Sequence, residues 1–111
     1  MGKYERVMKR CEKFYNHPKK EEVYDLSSTM IEFLIPRLEL FLNESTKIID
    51  WEFHKKEQGI YMERDIRSII KKLKYIEEHL YDGDDKSGKR CDKYIHEVFD
   101  KLGDLYFYLW Y

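Results

Sequence analysis

The sequence predicts an all-α protein: a compact antiparallel bundle of four to five helices, with the second helix kinked at Pro36. Three observations predict it. Apolar residues recur at three- and four-residue intervals along most of the chain. There are only five glycines and two prolines, too few for a many-turned β fold. Charged residues make up 39%, which suits helices with densely charged outer faces. At 111 residues the chain makes a single helical domain, 1–111, able to build one core without metal or disulfide staples.

Tyr4, Val7, Met8, Cys11 and Phe14 predict a first helix over about residues 3–15, ended by "NHP". A second starts near Leu26, capped by Asp25 or Ser27. Its stripe is Met30, Phe33, Leu34, Leu38, Phe41 and Leu42. Pro36 offers no backbone N–H and crowds the preceding turn, so this helix is expected to kink or restart there. Residues 44–59 read as a short helix or a connector. The next helix is expected over 61–81, with Met62, Ile66, Ile69, Ile70, Leu73, Ile76 and Leu80 on one face. "DGDDKSG" (82–88) signals a turn, and a last helix follows over 89–110. Its stripe is Cys91, Tyr94, Ile95, Val98, Phe99, Leu102, Tyr106 and Leu109. Long amphipathic helices joined by short loops pack antiparallel.

The net charge of −1 argues against nucleic acid as partner. Residues 1–20 carry seven Lys/Arg against two Glu, and residues 21–52 carry eight acids against two bases. That asymmetry favours contacts between copies or with a polar partner. No apolar run reaches membrane-spanning length, no leader is expected, and both cysteines fall on apolar helix faces. A reduced cytoplasmic setting is the expectation, with Cys11 and Cys91 as core thiols.

Catalytic and metal signatures are weak. Read as a calcium loop, residues 82–93 put Lys86, Ser87 and Lys93 where an oxygen ligand, a glycine and a glutamate belong. The four histidines form no HExxH or ExxH pair, and the two cysteines have no activating base beside them in sequence. No phosphate-cradling glycine loop occurs. The expectation is a protein that is not an enzyme and uses no metal or cofactor.

Arg37 is the informative charge. It sits on or beside the apolar stripe, where a dry, unpaired guanidinium would be very costly. Two roles are open to it. It pairs with Asp25, Glu39 or an acid of another helix, or it receives a ligand anion, for which its planar fork is suited. In the second case Tyr24, Ser27 and Arg67 are the companion ligand-binding candidates, with Lys71, Lys72 and Lys74 as further cations. The C-terminal "LGDLYFYLWY" is apolar to its end. Leu105, Tyr106, Leu109 and Trp110 are expected in the core, and Phe107, Tyr108 and Tyr111 at a homo-oligomer contact.

"YDLSSTMIEFLIPRLELF" resembles a pattern in small, mostly uncharacterised tailed-phage proteins, in which an aromatic precedes Ser-Leu-Asp, then Thr, an apolar run and Pro-Arg-Leu. Tyr24, Leu26, Thr29, Phe33, Pro36, Arg37 and Leu38 fit. Asp25 and Ser27 depart, and Ser27 stands where the acid is usual, so a role tied to that acid does not carry over. Leu109 and Trp110 match a Leu-Trp near the end of those chains, and Ile66 replaces a tryptophan. The resemblance covers most of the chain from about Val23. It implies a phage or prophage origin, expression in a bacterial host cytoplasm, and no established activity. The resulting expectation is a binding protein of host takeover or counter-defence. It sequesters a small anionic, nucleotide-like ligand or, alternatively, inhibits a host or defence protein by binding it.

Overall fold

A computed structural model describes Gly2 and residues 19–110. The helix expected over 3–15, Cys11 and Tyr111 lie outside the described residues. Every regular element among the described residues is helical: α1 (Lys20–Tyr24), α2 (Leu26–Ser45), α3 (Trp51–Gln58), α4 (Met62–His79) and α5 (Asp85–Leu105), then a 3-10 turn, Tyr106–Tyr108.

Local chemistry sets the boundaries. Asp25 caps α2, its Oδ1 accepting from the Ser28 N–H at 3.3 Å. Asp50 caps α3 in the same way through Phe53, and Gly59 ends it with a left-handed φ of 68°. The ambiguous stretch over 44–59 is therefore the end of α2, a turn and a short helix. Asp84 caps α5 by accepting from the Ser87 N–H, which holds its carboxyl below the usual carboxylate range. This cap starts α5 one turn earlier than the sequence suggests, and much of "DGDDKSG" is helical. At the other end α5 stops at Leu105 rather than running on to 110, and the chain tightens into the 3-10 turn.

α2 neither ends nor restarts at Pro36, which is buried inside its 20 residues. The face it buries also differs from the expected stripe. Ile31, Ile35, Leu38 and Leu42 are buried, whereas Met30 and Phe33 are 42% and 38% exposed. Apolar residues surround so much of this helix that spacing alone does not choose a side. In α4 charges flank a single stripe, and Met62, Ile66, Ile69, Leu73 and Ile76 are buried as expected.

α4 is the central helix. It packs α2 on one side and α5 on the other, and α3 covers its N-terminal end. Leu34 lies with Leu73 and Ile76 while Leu42 lies with Ile70, so α2 and α4 run antiparallel. Leu80 lies with Cys91 and Asp65 with Asp104, so α4 and α5 are antiparallel too. The core joins Ile66, Ile69 and Leu73 to Ile35, Leu38, Trp51, Val98 and Leu105. Asp65 is the one buried acid among the described residues, paired with Arg64 at 3.2 Å and with Lys101 of α5 at 3.7 Å. The Lys72–Glu97 pair also bridges α4 and α5, and holds the Glu97 carboxyl below its ordinary range.

Of the C-terminal apolar residues, Leu105 is buried and Leu109 packs against the core. Tyr106 and Trp110 were expected inside but are largely exposed. The 3-10 turn rotates them off the stripe that an unbroken helix would have continued. No helix among the described residues is long and apolar enough to cross a membrane.

Candidate anion-binding cleft

The predicted ligand-binding residues are dispersed along the bundle. Tyr24, on α1, is largely exposed. Ser27 opens an apolar groove between α2 and α5, floored by Leu73 and Ile76 of α4, with a volume of about 370 Å³. Arg37 is ten residues further along α2, about 15 Å of helix rise. Its guanidinium folds back over the Phe33 ring at 3.9 Å, and Nη1 donates to the Phe33 carbonyl at 3.1 Å. That carbonyl lies in the turn of α2 that precedes Pro36.

Arg67 is placed differently. It stands on the exposed face of α4 at the junction of two open clefts. The first, about 710 Å³, lies between the turn after α2 and the turn after α3. Its floor is built by Trp51, whose Nε1 donates to the buried Ser45 Oγ at 3.1 Å and so ties α3 to the end of α2. Its far wall is built where Gly59 reverses the chain. The Gly59 N–H reaches the Lys55 carbonyl and the Ile60 N–H reaches the His54 carbonyl, each at 3.2 Å. This reversal brings Tyr61 to the rim. The Arg64 guanidinium lies 4.1 Å from the Tyr61 ring centre, and Lys55 Nζ lies 5.7 Å from it. Lys47 completes a set of four cations on this cleft with Lys55, Arg64 and Arg67.

The second cleft, about 670 Å³, continues along α4 past Arg67 to Lys71 and Lys74, facing Glu39 and Asn43 of α2. Thr46, Glu63 and Arg67 belong to both. Arg67 pairs with Glu63 at 3.9 Å, and Lys74 with Glu39 at 3.0 Å. All four partners keep substantial exposure, so these pairs are weakly held.

Tyr61, Arg64, Lys47 and Lys55 were not singled out in the sequence. Lys47, Lys55 and Tyr61 arrive through two turns that no local pattern announces. Arg64 was legible, since Arg64, Arg67, Lys71 and Lys74 follow helical spacing. Among the described residues no group of three or more His, Cys, Asp or Glu is arranged to hold a metal ion. The Cys91 thiol is free, buried beside the apolar groove and pushed up in pKa by that burial. Of the predicted contact residues, Phe107 is 83% exposed, while Tyr108 is half-buried with its ring 6.2 Å from His54. Compared with family models, with curated proteins and with solved structures, the chain matches none.

Proposed function

We propose that this chain is a non-enzymatic binding protein that holds a small anionic, nucleotide-like ligand in the cleft at Arg67 and acts by occupancy. The observation that carries the reading is the setting of Arg67. It shares an open cleft with Arg64, Lys55 and Lys47, around an aromatic rim at Tyr61. Arginine forks bind phosphate or carboxylate oxygens in pairs, and a ring edge beside them suits a ligand with a flat apolar part. The resemblance to tailed-phage proteins supplies the setting, host takeover or counter-defence inside a bacterial cell, with the protein working as a homo-oligomer. Tyr24 of α1 and Ser27 and Arg37 of α2 do not line this cleft and are not included in this site.

A second reading is a protein-binding inhibitor. It is favoured by the apolar groove between α2 and α5, where Met30 and Phe99 remain 42% and 46% exposed. Thermal shift against inorganic phosphate and nucleoside mono-, di- and triphosphates separates the two. Stabilisation that disappears in Arg67→Ala and persists in Arg37→Ala supports the ligand reading. No stabilisation by any of these anions rejects it and leaves the groove as the place to look.

A further inference from the structure

Arg64, Arg67, Lys71 and Lys74 are spaced three, four and three residues apart on α4. That spacing places them on one face, over about 15 Å of helix rise. The two clefts they line are continuous, since Thr46, Glu63 and Arg67 border both. A single phosphate held by Arg64 and Arg67 would leave Lys71 and Lys74 unused. Lys71 makes no ion pair among the described residues, although it lines the second cleft. Asp50, Glu52, Glu63 and Glu39 also line the trough; of these, Glu63 and Glu39 hold Arg67 and Lys74 through partly exposed pairs, which a more highly charged anion can displace.

We infer that the two clefts form one trough for a ligand bearing a linear chain of several phosphates. Arg64 and Arg67 hold one end of the chain and Lys71 and Lys74 the other. Charges joined in one molecule bind the second pair of cations without a second loss of translational freedom, so affinity rises with chain length. The inference rests on the reading of the Arg67 cleft as an anion site and adds the length of the ligand.

Isothermal titration with phosphate, pyrophosphate and tripolyphosphate tests it on the whole chain. Affinity is expected to rise at each step, by about a hundredfold across the series. Lys71→Ala/Lys74→Ala should flatten the series while retaining phosphate binding and the helical circular dichroism spectrum. Arg64→Ala/Arg67→Ala should remove binding of all three. Equal affinity for all three anions, or a Lys71→Ala/Lys74→Ala protein that keeps the full series, overturns the bridging and leaves the single-cleft reading standing. Failure of all three to bind overturns both. Tighter binding of a single-stranded oligonucleotide than of tripolyphosphate also overturns it, and assigns the trough to nucleic acid.

Discussion

The Tyr81 hydroxyl donates a 2.6 Å hydrogen bond to Asp25 Oδ2, joining residues that are 56 apart in sequence. Asp25 is the cap of α2, and Tyr81 follows the end of α4, so one bond fastens the two helix ends together. The bond to Tyr81, followed by those from Ser28, lowers the Asp25 carboxyl below its ordinary value. A group whose pKa is lowered on folding adds stability above its unfolded pKa, about 4 for Asp. That stability is lost as pH falls through the folded value. Tyr81→Phe is therefore expected to melt at lower temperature than the parent at pH 7, with the gap closing on acidification below about pH 4. Thermal melts across that range check it, and a gap that widens in acid would refute the linkage.

Ser45 and Trp51 give a sharper stability test. Ser45 is fully buried, and its hydroxyl is the acceptor for the indole N–H. Ser45→Ala leaves that donor dry, at a cost of about 1–3 kcal/mol. Since the same bond ties α3 to α2 beneath the first cleft, anion affinity should fall as well. Urea denaturation and titration with tripolyphosphate measure the two effects. A variant that is destabilised but binds normally would show that the cleft does not depend on this tie.

Leu73 is fully buried on α4, where the helix meets both neighbours. Leu73→Ala should cost about 2–5 kcal/mol. Chemical denaturation reads it directly, and a loss below 1 kcal/mol, roughly the size of a surface change, would mean that the site collapses around the gap.

Arg37→Ala removes the contact over Phe33 and the donor to its carbonyl. The expected loss is about 1 kcal/mol, the size of a partly exposed cation–ring contact. Tripolyphosphate binding should be unchanged. Arg37→Lys should lie between, since lysine keeps the charge and loses the planar fork. Abolished binding in a well-folded Arg37→Ala protein would move the site to the middle of α2.

The all-α class was legible because α4 and α5 carry apolar residues at helical spacing with charges between them. The five buried apolar residues of α4 are all among the seven that its spacing predicts. α2 was less legible for the opposite reason. Met30, Ile31, Phe33, Leu34 and Ile35 surround the helix, and only packing against α4 selects Ile31 and Ile35 for burial. Pro36 was read as a kink or a restart, and the helix does not restart there but continues across it to Ser45. Arg67 was identified as a candidate, with Lys71 and Lys74 as further cations, but Lys47, Lys55, Tyr61 and Arg64 were not. Lys55 and Arg64 both approach the Tyr61 ring because Gly59 turns the chain between them, a consequence of one backbone angle.

The central position of α4 also bears on the order of assembly. α4 and α5 are separated by five residues, 80–84, whereas α2 must close over residues 46–61 to reach α4. Short loops close at lower entropic cost, and local contacts form sooner. The α4–α5 hairpin is therefore expected to form first, with α2 docking afterwards. Val98→Ala, at the hairpin interface, should mainly slow refolding, and Ile35→Ala, on the docking face of α2, should mainly speed unfolding. Stopped-flow chevrons of the two variants distinguish this order from its reverse. In a chain assembled this way α4 is in place before α2, the wall across the trough, arrives, so among the described residues the trough is expected to form late and to open early.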